Sequence, residues 1–268
     1  MTLPFETTTR IDLCAGCPLR SRRLCRVIRA TSFGNGAGGP RLRRLPQDRT
    51  LQEEGGAPNL TGVLRRGYLR AERMMPDGRR SILGLLVPGD LVGDWAGAAG
   101  SCSLAAATDV EICAIDPRLA RRVADEDAAL RIEILHATAA QTARQLEMVW
   151  RRGALTSRER IIAFLVMAAE IMPVAPQGDG SLVLTIPISR RDWADLTNTT
   201  VETICRTLGY LADKDMVRPE GPGRYHVRDL DVLCRLAGLD PEHDRVAPGH
   251  DAPAPGPGDR PALRLCHG

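Results

Sequence analysis

The hydrophobic period of this chain changes at Pro117, and no other feature restricts its fold as much. Between about Leu42 and Pro117, short apolar alternations are cut by turn signals: Gly67-Tyr68-Leu69-Arg70-Ala71-Glu72-Arg73, the Pro76-Asp77-Gly78 hairpin, Ser81 to Val87, Pro88-Gly89-Asp90, and Thr108 to Ile115. Many short strands with glycine-marked corners predict a small β-barrel or jelly roll. After Asp127 the spacing is helical: Leu130, Ile134, Leu135, Ala137, Thr138, Leu146, Met148 and Val149 recur up to Trp150 with no proline or glycine between them. A helix that long with a partly exposed apolar stripe connects domains and pairs with a second subunit; packing against the barrel is the other way to cover the stripe.

A second helix is predicted from Ser157 to Met172, stopped by Pro173, and Leu182 to Ile186 reads as a strand entering a compact helical unit. Within that unit Ser189, with Asp192 three residues on, caps a short helix that holds Trp193 and Leu196 inward. Asn198 tolerates the left-handed conformation of a tight turn, and Thr199 with Glu202 makes a capping box for the next helix. There Val201, Ile204, Leu208 and Leu211 form an inward stripe, so Glu202, Cys205, Arg206 and Gly209 face outward. Glutamate accepts from cytosine N4 and arginine grips guanine O6 and N7, which suits this face to a major groove. Arg190 and Arg191 can neutralise phosphates and fix the register. Met216-Val217-Arg218 and Arg224-Tyr225-His226-Val227, around Gly221-Pro222-Gly223, read as the hairpin of a wing. An ordinary helical pair with a solvated polar face is the plainer reading of the same pattern.

Charge decides little here. Lys214 is the only lysine, arginine supplies the remaining positive charge, and the formal net charge of +3 permits nucleic-acid binding without demanding it. No leader peptide is expected, because Pro4, Glu6, Arg10 and Asp12 interrupt any apolar core, so a cytoplasmic location is expected. In that compartment eight cysteines are not expected to form a disulfide framework. Three of them, Cys14, Cys17 and Cys25, precede every strong pattern and look more like metal ligands than core filler. Arg20, Arg22, Arg23 and Arg26 surround them, either offsetting thiolate charge or forming a solvated basic loop.

The two capped helices and the hairpin resemble the Crp/Fnr family of transcription regulators. Ser189-Arg190-Arg191-Asp192-Trp193-Ala194-Asp195 resembles its first motif helix, and Thr200-Val201-Glu202-Thr203-Ile204-Cys205-Arg206-Thr207-Leu208-Gly209 its recognition helix. Asp77-Gly78-Arg79-Arg80-Ser81-Ile82 through Pro88-Gly89-Asp90-Leu91-Val92-Gly93 resembles its effector-domain barrel. The resemblance runs from about residue 14 to residue 237 and implies an α+β chain. Its expected parts are a cysteine-rich sensory segment (1–40), an effector-like β-barrel of the cyclic-nucleotide-binding type (41–126), a dimerisation helix (127–150) and a winged helix-turn-helix (151–237). The Phe33 to Pro40 stretch is expected to be a loop, and the Pro/Gly-rich residues 238–268 a flexible tail.

In the Fnr branch a Glu-Thr-x-Ser-Arg motif reads the half-site. Carried over, Glu202 and Arg206 read bases here, with Thr200, Thr203 and Cys205 on the same helix and Arg190 and Arg191 flanking it. Cys205 stands where that branch has serine, and a thiol donates poorly, which alters the preference at one outer base pair. Thr197 and Asn198 replace the usual Leu-Gly at the turn.

Cys14, Cys17 and Cys25 also have the Cys-x2-Cys-x7-Cys spacing of Fnr-like oxygen sensors. The resemblance therefore implies a 4Fe-4S cluster with its fourth thiolate from the last part of the barrel. Cys113 matches that position, with Cys102 as the competitor. Zinc on the same thiolates, or a set of oxidisable thiols, are the alternatives. The implied protein is a regulator, not an enzyme, that senses oxygen, nitric oxide or redox state and couples it to homodimerisation. It would present two recognition helices to palindromic double-stranded DNA with half-sites about one turn apart, with RNA polymerase as a further partner.

The Gly-Glu-Leu run and the Arg-Ser or Arg-Thr pair of the cyclic-AMP branch do not follow Gly93, where the chain reads Asp94-Trp95-Ala96-Gly97, so cyclic AMP is not expected. Haem through His136 or a thiolate stays open. A redox enzyme using the same thiols is the reading from another class, and no Gly-x-Gly-x-x-Gly opens a strand-turn-helix unit to support it.

Overall fold

The structure is a computed structural model that describes residues 7–8, 13–31, 39–56, 60–93, 95 and 100–242. The expected loop from Phe33 to Gly38 lies outside those residues, as does the expected 238–268 tail, with Cys266, beyond residue 242; of its described part, Leu239 is buried in the core. Asp94 and residues 96–99 also lie outside the described residues.

Ahead of Pro117 the chain forms β1 (Thr7–Thr8), α1 (Arg23–Ala30), β2 (Arg41–Leu45), β3 (Thr50–Gln52), β4 (Thr61–Arg66), β5 (Leu69–Met74), β6 (Arg80–Leu86), β7 (Leu91–Gly93), β8 (Ser103–Ala106) and β9 (Val110–Ile115). The strands make two antiparallel sheets, ordered β1-β2-β9-β4-β7 and β3-β8-β5-β6. Between them Leu64, Val92 and Ile112 of one sheet meet Leu69, Leu86 and Ala106 of the other. Gly67, at φ 78°, makes the reversal from β4 to β5, and a Cβ there would lie 2.2 Å from the Asp109 carbonyl oxygen. Only glycine fits that turn without strain.

The expected closed barrel does not form. Among the described residues each sheet keeps two edges, and no strand of one sheet pairs with a strand of the other. The domain is a cyclic-nucleotide-binding-like pair of open sheets packed face to face. Alternation could not separate the two outcomes, because a period of two buries one face whether a sheet closes on itself or packs on a second sheet.

Helices follow: α2 (Pro117–Glu126), α3 (Ala128–Ala154) and α4 (Ser157–Ile171). Each begins on a side-chain cap. Asp116 accepts from Leu119 N at 3.0 Å with Pro117 in the first turn, and Asp127 accepts from Leu130 N at 2.9 Å. Thr156 and Glu159 form a reciprocal capping box for α4, the Glu159 carboxylate taking the Thr156 backbone N–H at 2.7 Å. The chain then runs through β10 (Val174–Pro176), β11 (Leu182–Thr185), α5 (Arg190–Thr197), α6 (Val201–Asp213), β12 (Val217–Gly221), β13 (Arg224–Val227) and α7 (Leu230–Leu236). The last four strands form one sheet in the order β10-β11-β13-β12.

One core joins the β5-β6 sheet to the carboxy-terminal unit. Tyr68, Ile82 and Leu85 belong to the same apolar cluster as Ile161, Phe164, Leu184, Trp193 and Tyr225. The Tyr68 hydroxyl donates to the Ile171 carbonyl at 3.1 Å, and burial pushes its pKa up to about 12, so it remains a donor at neutral pH. Among the described residues no helix is long and apolar enough to cross a membrane.

The long helix α3 buries Leu130 and Met148 against the rest of the chain and leaves Ile132, Leu135, Leu146, Val149 and Trp150 exposed. Ile132, Leu135, Ala139, Thr142, Leu146 and Val149 follow one another at alternating steps of three and four, and all six are exposed. That is the spacing of a coiled-coil seam on a face the single chain leaves uncovered, with the small Ala139 and Thr142 at its middle.

Candidate nucleic-acid interface

The helix pair is fixed by local chemistry. Ser189 caps α5 by accepting from Asp192 N at 3.0 Å. Asn198 ends α5 in the left-handed conformation, φ 48° and ψ 52°. The next cap is Thr200, which accepts from Thr203 N at 3.2 Å, so α6 starts one residue later than the Thr199-Glu202 box predicts. Thr199 instead exchanges a hydroxyl hydrogen bond with Thr197 at 2.8 Å inside the turn. Two adjacent threonines offered equivalent caps, and a sequence alone does not choose between them.

On α6, Ile204, Thr207 and Leu211 are buried, while Glu202, Cys205, Arg206 and Gly209 are exposed together. Backbone hydrogen bonding at Glu202 and the Thr200 hydroxyl, with Arg206 adding to them, hold the Glu202 carboxyl below its ordinary value. It is therefore an acceptor at neutral pH. Arg206 reaches the Thr203 hydroxyl at 3.5 Å, which leaves most of its donors turned outward.

Arg190 and Arg191 are both exposed. The Arg190 guanidinium lies 5.6 Å from the ring centroids of Trp193 and of Tyr225, so its plane is held on an aromatic platform. On the wing, Arg218 and Arg228 converge on Asp215 at the open end of the hairpin, at 2.6 Å and 3.2 Å, and Arg224 is exposed at its turn. Sequence reasoning missed these three as a group. Arg224 carried a local signal, since it directly follows the Gly-Pro-Gly turn, whereas Arg218 and Arg228 meet only once the two strands pair at the open end of the hairpin.

Ser181 sits between Asp179 and His226, donating to the carboxylate at 2.6 Å and contacting His226 Nε2 at 2.8 Å. A hydrolytic triad needs the imidazole in the middle. Here the serine is in the middle, and the three side chains tie β11 to β13.

The amino-terminal thiols lie elsewhere. Cys14 and Cys17 sit in a turn, with Cys17 N donating to Cys14 O at 3.3 Å; Cys25 is on α1 and Cys113 on β9. Cys17, Cys25 and Cys113 pack against one apolar cluster that includes Leu24, Val63 and Leu91. Burial, reinforced by Cys25, Cys14 and Cys17, pushes the Cys113 thiol up to about 12. Cys102 packs against the other core, between the sheets. All of these are thiols rather than disulfides.

The 4Fe-4S cluster expected on Cys14, Cys17, Cys25 and Cys113 does not fit. Among the described residues no group of three or more His, Cys, Asp or Glu side chains is arranged to hold a metal ion. Three of these thiols share one apolar cluster, but a shared cluster is not the converging donor set that an iron-sulfur group or a zinc ion requires. Spacing in the sequence reported nearness and could not report convergence.

α1 also touches the long helix. Leu24 and Ile28 pack with Leu130, Ile134 and Ala137 of α3, and Arg23 pairs with the buried Glu133 at 3.2 Å. Arg22 lies over Gly89, where a Cβ would come within 1.9 Å of its guanidinium. Next to that turn Asp90 is gripped by Arg144 of α3, and Gln141 donates to the Leu91 carbonyl at 3.0 Å. The cysteine segment and the dimer seam thus occupy two sides of one helix.

Comparison with known proteins divides the chain in the same places. Residues 42–127 match the family described as cyclic nucleotide-binding domain, and residues 159–236 match the Crp-like helix-turn-helix domain. A probable transcriptional activator of Rhizobium leguminosarum bv. viciae is 26% identical over 232 residues, covering 87% of this chain and 95% of that protein. Transcriptional activator protein FnrL of Cereibacter sphaeroides is 24% identical over 242 residues, covering 90% and 97%. The structure of FixK2 from Bradyrhizobium japonicum superposes with a TM-score of 0.67 at 22% identity, over 75% of this chain and 97% of that one, a likeness of fold. These relatives are named as regulators, not as catalysts.

Proposed function

We propose that the chain is a DNA-binding transcriptional regulator of the Crp/Fnr type that acts as a dimer, its α6 reading each half of a palindromic site through Glu202 and Arg206; the two matched domains and the regulators it resembles support this reading. The observation that carries this is the exposed outward face of α6, where an ionised carboxylate and an unburied guanidinium stand one turn apart. Glu202 accepts from cytosine N4 and Arg206 grips guanine. Arg190 and Arg191 hold phosphates, and Thr200, Thr203 and Cys205 line the same approach. The bound dimer then meets RNA polymerase.

The test is a selectivity measurement. Glu202→Ala and Arg206→Ala are each expected to lower affinity for the selected site by about 1–3 kcal/mol while affinity for unrelated DNA is unchanged. Equal losses on both kinds of DNA would remove the base-reading role. The comparison is made at one salt concentration, since the phosphate contribution moves with salt.

The input we assign is thiol oxidation at the Cys14, Cys17, Cys25 and Cys113 group. Cys17, Cys25 and Cys113 lie on one apolar cluster beside a helix that packs on α3, which supports it. A peroxide takes two electrons from two thiols: the S–S bond forms, the O–O bond breaks, and the two thiol protons leave in two waters. Drawing Cys25 toward a second sulfur moves α1, and α1 carries Leu24 and Ile28 on α3. Treatment of the full chain with hydrogen peroxide is expected to remove a pair of titratable thiols and change DNA affinity, with both effects blunted in Cys25→Ser. Loss of thiols with no change in affinity would refute a sensory role.

A further inference from the structure

The first helix of the reading head is gripped at both ends by arginines from elsewhere in the chain. Asp192, almost wholly buried, accepts from Arg80 Nη2 at 2.7 Å and from Arg70 Nη1 at 3.3 Å. Asp195 accepts from Arg80 at 2.5 Å and 3.0 Å, through Nη2 and Nε. Arg70 lies on β5, and Arg80 begins β6. Glu72 and Asp48 complete the charge balance on the sheet side, each within 3.0 Å of Arg70. At the other end of α5, where peptide dipoles gather negative charge, Arg152 donates to Leu196 O at 2.9 Å and to Ile82 O at 2.6 Å. That one guanidinium touches α3, β6 and α5.

A buried ion pair returns little net stability once the desolvation of both charges is counted. It does restrict geometry, because a guanidinium fork engages carboxylates in few orientations. Here the restricted geometry is that of the head on the sheet. The outward face of α6 stays exposed while these pairs are closed, so the clamp and the groove-facing surface do not compete.

In a twofold dimer the separation and tilt of the two heads decide which half-site spacing fits. We propose that Arg80 and Arg70 are positioning residues for DNA recognition: by clamping Asp192 and Asp195 they set the angle at which the head leaves the sheet, and with it the half-site spacing the dimer accepts. This rests on the half-site reading above. Neither arginine needs to touch DNA. The partner pair of carboxylates lies immediately beside Arg190 and Arg191, so the clamp also neutralises two negative charges next to the phosphate-holding arginines.

The experiment uses the full chain and a series of duplexes whose half-sites are moved apart one base pair at a time. Arg80→Gln is expected to lose about tenfold of its discrimination between the best spacing and its neighbours, an amount typical of breaking one coupled buried pair. Base preference within each half-site stays as in the unaltered chain. Asp195→Asn is expected to do the same from the other partner. A spacing preference that survives intact in both single variants overturns the proposal. So does backbone hydrogen exchange across residues 190–197 that is no faster in Arg80→Gln, a readout that needs no DNA and so separates a failed clamp from a failed base reading.

Discussion

Trp193→Ala is expected to destabilise the protein by about 3–5 kcal/mol, the range for truncating a buried tryptophan. Trp193 is 1% exposed, stacks on Phe164 with ring centroids 5.0 Å apart, and meets the edge of Tyr225 at 6.1 Å. It is therefore the point where α4, α5 and the wing sheet touch one another. Its removal leaves a cavity that three elements would have to move together to fill. The midpoint of thermal unfolding is expected to fall by about 10 °C, taking roughly 2–4 °C per kcal/mol for a chain of this size. DNA binding should fail at lower temperature still, because Arg190 loses half of its aromatic platform. A loss of less than about 1 kcal/mol would mean that the site collapses freely, and that the head is not organised around this ring.

A larger effect is expected at the dimer seam. Leu135 and Leu146 are 67% and 63% exposed in the single chain, too much apolar surface for a helix that stays alone. Burying a leucine is worth about 1.5–3 kcal/mol, and the twofold relation counts each of the two residues twice. Leu135→Glu combined with Leu146→Glu thus removes about 6 kcal/mol or more and weakens dimerisation on the order of 10⁴-fold. Sedimentation at micromolar protein is expected to show a monomer. Palindromic DNA should then bind no better than a single half-site. A double variant that still sediments as a dimer would place the contact on another surface.

What could be read in the sequence was the chemistry that acts over one turn. Ser189, Asn198 and the Gly-Pro-Gly wing all announce themselves through capping and turn geometry, which needs no distant partner. The long helix was equally plain, but its faces were not. Leu130 and Met148 turn inward while Leu135, Leu146 and Val149 turn outward, and one helical period runs through all five. A helix with two apolar faces gives a list of residues without saying which side each belongs to. Sheet closure was misread because alternation is common to barrels and to stacked sheets. The thiols were misread because chain spacing fixes how near ligands lie and leaves their direction open. Nothing local marked the clamp either: Arg80 and Asp195 are 115 positions apart, and each by itself looks like an ordinary surface charge.

The two families that match this chain stop at residue 127 and resume at residue 159, yet the apolar cluster runs unbroken from Tyr68 and Ile82 through Phe164 to Tyr225. The seam between the families is thus a seam of descent and not of mechanics. A head cut free at α4 would carry a raw hydrophobic wound where the β5-β6 sheet had been, and would not be a portable cartridge to graft onto another sensor. Heating the whole chain should melt sheet and head in one step, and a swap of heads between relatives has to carry the sheet face along with it.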